Sequence, residues 1–323
     1  MRRWLLGRFL QAVVTLGVAI CLLFVLMRLA PGDPLSRLGS DRPITPREVA
    51  FLRARYGTDQ PLLTQFSRFA TSAARGDLGT SIEYARPVTR LIAERLPATI
   101  LLGGTVLLFN FTLGLWLGVR QAVRAGRATD RMLELASLTA YAVPSFAVAL
   151  LLAWLFATHW HALPPGGMHD VLLPAGAGVA ERAADVARHL ILPAVTLSLV
   201  SIAATMRYQR AAMLDALSLP FVRTARAKGI AERRVIWHHA WRNALFPVVT
   251  LFGLWLPVLV TGSVFVEQVF AWPGLGSLAA GAVGARDYPL LMGTALLVSA
   301  LVIGGGLAAD VLYALLDPRV RYQ

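Results

Sequence analysis

Apolar residues fall in long uninterrupted runs rather than in the short alternations of a water-facing chain, and arginine-bearing stretches separate the runs. Crossing about 30 Å of hydrocarbon at about 1.5 Å per residue takes about 20 apolar residues. Charge-free stretches of that order occupy 9–27, 97–119, 135–158, 190–206, 244–266 and 289–309, the fourth being the shortest. In lipid every backbone amide must be paired within its own segment, so these runs predict helices; weak alternation and the prolines argue against a barrel. The expected fold class is an all-α integral membrane protein with six transmembrane helices. Arg2, Arg3 and Arg8 precede the first run as they would in a secretory leader. Its length, and its end at Met27-Arg28-Leu29-Ala30 without a small-x-small cleavage site, favour an anchor.

The stretch between the first two runs is long and has a pattern of its own. Thr45-Pro46-Arg47-Glu48 is a capping box with proline at the first helical position, Val49, Leu52 and Tyr56 follow at helical spacing, and Gly57 supplies a stop. A second helix is predicted over 60–74, a turn at Gly76-Asp77-Leu78-Gly79, and a third helix from Pro87 into Pro97. The chain thus divides into an N-terminal segment and first span (1–29), an external helical segment (30–96), and a five-helix core (97–323) with an inner loop at about 207–243. The external segment serves either as a lid on the helix ends or as a docking surface for an outside partner.

Composition strengthens the membrane assignment. Of 323 residues 56% are hydrophobic and 15% charged, too few polar side chains to coat a soluble globule; mean hydropathy is +0.60. The single cysteine, Cys21, makes no internal bridge. A net charge of +13 invites thoughts of nucleic acid, yet the basic residues lie between apolar runs and read as membrane-flanking charge. Short loops set orientation because arginines resist translocation. With the N-terminus inside, Arg120, Arg124, Arg127, Arg131, the run from Arg207 to Arg242, Arg319 and Arg321 are cytoplasmic, while the short outer loops hold Arg182, Arg188 and Arg286. Both termini are therefore expected in the cytoplasm.

Transport needs an energy source, and none is legible in the chain. Lys228 is the lone lysine among 31 basic residues and is followed by Gly229, so no phosphate-cradling loop is present. There is no His-Glu-x-x-His pair and no Gly-x-Ser-x-Gly elbow, and the histidines are scattered, so neither catalysis nor a metal site is expected. An ion-coupled carrier, the alternative reading, places ionisable groups mid-membrane at about 2.5 to 3.5 kcal/mol each. Here Glu134, Glu267 and Asp310 lie at span ends. The power is expected to come from another polypeptide.

The inner loop is where such force would arrive. Residues 221–228 suit a short helix, Gly229 permits a left-handed stop, and 231–243 resume helical composition before Pro247. Small residues at Thr224, Ala225 and Ala227 allow close approach of a partner, and Arg223, Arg226 and Lys228 add charge. A basic helix lying on anionic lipid has the same composition.

These residues resemble a family, the transmembrane subunits of ATP-binding cassette importers of the oligopeptide and dipeptide (peptide/nickel) group. Arg223-Thr224-Ala225-Arg226-Ala227-Lys228-Gly229 is similar to that group's Glu-Ala-Ala-x-x-x-Gly loop, with Ala225 and Gly229 on the matching alanine and glycine; Arg223 and Thr224 stand where the general motif has Glu and Ala. The likeness runs along the whole chain through Pro31-Gly32-Asp33-Pro34, Asp59-Gln60-Pro61-Leu62, Arg75-Gly76-Asp77-Leu78-Gly79, Glu94-Arg95-Leu96-Pro97-Ala98-Thr99, Pro144-Ser145-Phe146, Trp272-Pro273-Gly274-Leu275-Gly276 and Leu316-Asp317-Pro318-Arg319.

The resemblance implies a type I importer fold in the bacterial cytoplasmic membrane. This chain would be one of two membrane subunits, paired with a different permease, two cytoplasmic ATPase subunits that bind ATP and Mg, and an external substrate-binding protein. The chain itself would bind no cofactor. Residues 223–229 would seat in a groove on the ATPase. The fifth span, bendable at Pro247, Gly253 and Pro257 and close-packing at Gly262 and Ser263, would line the path, or else these are plain packing residues. Beyond it, Glu267, Trp272, Pro273, Gly274 and Gly276 would form an outer gate or docking loop, because Trp272 favours an interface and Pro273-Gly274 forces a turn. Peptides are the default substrate; nickel chelates and glutathione suit relatives of this shape.

Overall fold

In the computed structural model the described residues are 2–29, 45, 47, 60–174, 176–245, 247–248, 255 and 264–316. Among them the chain is helical, with one isolated antiparallel bridge between Thr80 and Pro87. Four helices are long and apolar enough to cross a membrane: 6–26 within α1 (Arg2–Leu29), α3 (Val88–Val123), α6 (Val179–Ser218), and 288–308 within α11 (Tyr288–Leu316). A bent pair, α4 (Ala128–Ala142) and α5 (Ser145–His159), makes a fifth if it is counted as one span. The predicted capping box at 45–48, Gly57 and most of the run at 244–266 lie outside the described residues.

Two spans are longer than their charge-free cores, because helix continues past the hydrocarbon wherever nothing stops it. α3 begins at Val88, right after Pro87, and carries Pro97 inside. α6 begins at Val179, far ahead of its apolar stretch, capped by Gly178, whose N–H donates to Glu181 Oε2 at 3.0 Å. The third span departs from expectation. Instead of one helix over 135–158, α4 and α5 meet at 98°. Pro144 lacks an N–H and pushes the preceding residue out of helical geometry, and Val143 is extended at φ −81°, ψ 127°.

The core forms where α3 meets α6. Gly114 and Gly118, one turn apart on α3, lie against Thr205, Met206 and Gln209: a Cβ at Gly118 would sit 2.6 Å from the Met206 carbonyl oxygen. Small residues four apart let two backbones approach this closely. Outward along the same helix, Ala98, Leu102 and Val106 pack with Ala194 of α6 and Trp272. α1 stands at the edge, tied to α11 by Arg8 and Asp310 at 3.4 Å and to α2 (Leu62–Ala74) by an edge-to-face contact of Phe24 with Phe66.

Candidate functional site

The loop after α6 is built by punctuation in the sequence. Leu219 is extended (φ −66°, ψ 146°), Pro220 occupies the first helical position where its missing N–H is no loss, and α7 runs Pro220–Ala227. Gly229 takes φ +74°. Its N–H donates to the Arg226 carbonyl at 2.9 Å and the Ile230 N–H to the Ala225 carbonyl at 3.3 Å. That is the paired 5→2 and 6→1 closure of a Schellman stop, completed by apolar packing of Ile230 on the cluster that holds Ala225. The chain then resumes as α8 (232–244), π-helical over Val235–Ala240.

The loop is anchored to its own membrane helices. Val222 and Ala225 of α7 and Val235, Ile236 and Ala240 of α8 pack with Val119 and Ala122 from the end of α3 and with Met213 and Ala216 of α6. Val222 and Val235 are fully buried, each worth about 1.5–3 kcal/mol. A second tie is electrostatic. Arg226 Nε and Nη2 donate to the two carboxylate oxygens of Glu232 at 3.1 and 2.7 Å, bridging the limbs of the turn. These hydrogen bonds from Arg226 hold the Glu232 carboxyl below its ordinary value, and those to Glu232 raise Arg226. Both side chains are about half exposed, so the pair directs the turn more than it stabilises it.

Of the seven loop residues singled out from sequence, Arg223, Thr224, Arg226, Ala227, Lys228 and Gly229 are exposed. Ala225 is not: it faces its own chain, so the expectation that all three small residues meet a partner is corrected for Ala225. Spacing explains this, since Val222 and Ala225 lie three apart on the face that packs inward.

The second group of candidates is also brought together. α9 (Val264–Val269) ends at a turn through Ala271, which has φ +46°, and α10 (Leu275–Ala285) begins beyond Gly274. Glu267 is fully buried, and its Oε2 accepts the Ser277 N–H at 2.7 Å at the start of α10. Gly274 and Gly276 are required by this carboxylate, because a Cβ would meet it at 2.4 and 3.0 Å respectively. Trp272 departs from its expectation as an interfacial ring. It is fully buried, and its Nε1–H donates to the Ala98 carbonyl of α3 at 3.0 Å, while the Leu275 N–H donates to Thr99 Oγ1 at 2.7 Å. An indole with a polar partner is as content in a core as at a headgroup. Pro273 is half-buried, so these side chains form a packed corner and present little surface for docking. Pro257, Gly262 and Ser263 lie outside the described residues.

Two acids, Asp130 and Asp287, hold structure together in ways not legible in the sequence. Asp130, at the start of α4, accepts both Arg210 Nε and Nη2 at 2.9 Å and the Gly126 N–H at 2.8 Å. Asp287 accepts the Leu290 N–H at 3.1 Å, capping α11, and also the Glu83 N–H at 3.1 Å and the Ser81 hydroxyl. An acid at a helix start is a legible signal; its distant partner is not. Among the described residues no group of three His, Cys, Asp or Glu is placed to hold a metal ion.

A helical multi-span protein with a stiffened helix–glycine–helix loop on the ends of its spans is the class these features define. Residues 110–322 match the family described as the binding-protein-dependent transport system inner membrane component, and 1–103 match the N-terminal part of such membrane components. Curated relatives match over full length. The chain is 37% identical to the oligopeptide transport system permease protein AppB of Bacillus subtilis over 324 residues, all of both chains. It is 38% identical to the di/tripeptide transport system permease protein DppB of Pseudomonas aeruginosa over 319 residues, 95% of each. It is 37% identical to the glutathione transport system permease protein GsiC of Salmonella typhimurium over 323 residues, all of both. The chain belongs to the binding-protein-dependent transport system inner membrane component family. It is a multi-pass permease subunit of the inner membrane, a transport component rather than an enzyme. Membership sets aside the autonomous ion-coupled carrier, since such a component works with a binding protein and ATPase partners.

Proposed function

We propose that this chain is one half of the membrane path of an ATP-driven importer of peptides or similar small solutes. It spans the membrane six times with both termini in the cytoplasm and pairs with a second, different permease. Of two ATPase subunits, which carry the ATP and Mg, one docks on the exposed side of residues 223–229 from the cytoplasmic side. A substrate-binding protein docks outside, where 30–96 form the external segment of the three-part division 1–29, 30–96 and 97–323. The pairing of Arg8 near the N-terminus with Asp310 near the end of α11 supports termini on one side. The peptide assignment leans on AppB and DppB, permeases of oligopeptide and di/tripeptide transport systems; glutathione, the cargo of the GsiC system, is the neighbouring chemistry.

One observation carries the reading of the inner loop. α7 is held rigidly to the ends of α3 and α6 through Val222 and Ala225, while Arg223, Thr224, Ala227 and Lys228 face away from the chain. A helix fixed on one face and bare on the other transmits a push to whatever it is fixed to. Pro257, Gly262 and Ser263 are assigned to the path, and the corner of Glu267, Trp272, Pro273, Gly274 and Gly276 to an outer gate hinged on α3.

The test is reconstitution with the partner subunits. A cysteine at Ala227 is expected to cross-link to an ATPase subunit, and uptake of a dipeptide to require ATP and the binding protein. Uphill accumulation by this chain alone in vesicles would refute the proposal.

A further inference from the structure

The lower end of α3 carries a groove that transport does not explain. Trp116, Leu117, Met132 and Leu133 form the walls of a cavity of about 320 Å³ between α3 and α4, and Arg120, Arg124 and Thr129 stand around it. Trp116 and Met132 are well exposed for apolar side chains, at 44% and 69%. The Arg120 guanidinium lies 4.8 Å from the centre of the Trp116 ring, which fixes it at the edge of the apolar wall. Among the described residues no carboxylate lines the groove. The nearest acid in sequence, Asp130, is buried and turned to Arg210, and among the described residues Arg120 and Arg124 have no acidic partner.

A groove with apolar walls and two uncompensated guanidinium groups at one end, at the point where the apolar run of a span gives way to charge, complements one kind of molecule: an amphiphile with a hydrocarbon tail and an anionic head. We propose that this groove binds an anionic phospholipid. One acyl chain lies against Trp116, Leu117, Met132 and Leu133, and Arg120 and Arg124 take the phosphate, with the Thr129 hydroxyl beside them. Basic pockets between membrane helices recognise acidic headgroups in this way. A polypeptide partner is disfavoured by the charge pattern, since it would have to bring carboxylates into the apolar boundary where they are costly. Placement in the inner leaflet rests on the orientation proposed above; retention of the lipid does not.

The full-length chain, co-purified with its partners and held in nanodiscs of equimolar phosphatidylglycerol and phosphatidylcholine, is to be stripped stepwise with detergent and its bound lipid weighed by native mass spectrometry. Selective retention of phosphatidylglycerol is expected, weakened about 30-fold in Arg120→Gln/Arg124→Gln at about a tenfold factor per 1.4 kcal/mol and about 1 kcal/mol per arginine. A photo-reactive residue at Met132 in otherwise unchanged protein is expected to give an adduct of lipid mass. Equal retention of the two lipids, retention unaffected by the double substitution, or an adduct to a polypeptide would each overturn the proposal.

Discussion

Arg210 of α6 donates two hydrogen bonds to Asp130 of α4, both at 2.9 Å, from a position eighty residues away in the chain. Asp130 is 2% exposed and also holds the Gly126 N–H, so the loop 124–127, the start of α4 and the lower part of α6 form one unit. Removing one member of a buried pair strands the other charge, at about 3–5 kcal/mol. Arg210→Gln is expected to cost about 3 kcal/mol, the low end, because Arg210 is a quarter exposed. The melting temperature in detergent should fall, and the reversed pair Asp130→Arg/Arg210→Asp should recover part of the loss. A melting curve unchanged by Arg210→Gln would show that the pair contributes nothing.

Gly229 has open space around its missing side chain, so any cost of substitution comes from the backbone at φ +74°. Gly229→Val is expected to cost about 1–2 kcal/mol locally, whereas Gly229→Asn, which tolerates left-handed geometry, costs less. Both proteins insert. In the reconstituted complex Gly229→Val hydrolyses ATP with reduced uptake, and Gly229→Asn restores the ratio. Equal ratios in all three proteins contradict the coupling role of the loop.

The Arg226–Glu232 clasp is predicted to persist across neutral pH. The folded-state pKa of Glu232 is depressed by its hydrogen bonds from Arg226, so its contribution is present above the ordinary carboxylate value and is lost as pH falls through the lower folded value. Glu232→Gln should therefore reproduce at neutral pH the loosening that wild type shows only in acid, read as faster amide exchange at Gly229 and Ile230. Indistinguishable exchange in the two proteins at neutral pH speaks against the clasp.

Gly274→Ala places a methyl group 2.4 Å from the Glu267 carboxylate carbon. Overpacking of this kind costs about 1–3 kcal/mol, and Gly276→Ala, at 3.0 Å, less. Shortening the acid in Gly274→Ala/Glu267→Asp should relieve part of the strain, measurable as recovered expression and melting temperature. If Gly274→Ala behaves as wild type, the corner is looser than described.

For Trp272, Trp272→Phe separates packing from the polar contact. It keeps a ring in the core but loses the bond to the Ala98 carbonyl, at about 1 kcal/mol. The protein should fold, and uptake should fall if the corner gates the path. Normal uptake by the folded variant discards that role.

What could be read from the sequence was local. Pro220 and Gly229 set the limits of α7 through their own backbone preferences, and the composition of 221–243 pointed to a helix–glycine–helix that is there. What escaped was set at a distance. Trp272 reads as an interfacial residue until Ala98, 174 residues away, is seen to accept its N–H. Asp130 and Arg210 look like ordinary loop charges until folding brings them together. Ala225 changes sides because Met213 and Val235 wait beneath it. The break between α4 and α5 was in principle legible, since Pro144 announces it, but unbroken hydropathy over 135–158 concealed the bend.

α6 runs from Val179 to Ser218 without a break in its helix, 40 residues or about 60 Å at the usual rise. Such a rod outreaches the hydrocarbon at both ends, with Asp185 and His189 near one tip and the α7 turn at the other. α3 grips it at Gly114 and Gly118, opposite Thr205, Met206 and Gln209, closer to the α7 end than to the other; a rod tilted about that grip would carry its two tips in opposite directions, the far tip further. Under the importer proposed above, such a rod would need no separate signal between its two faces, because one tilt would displace both.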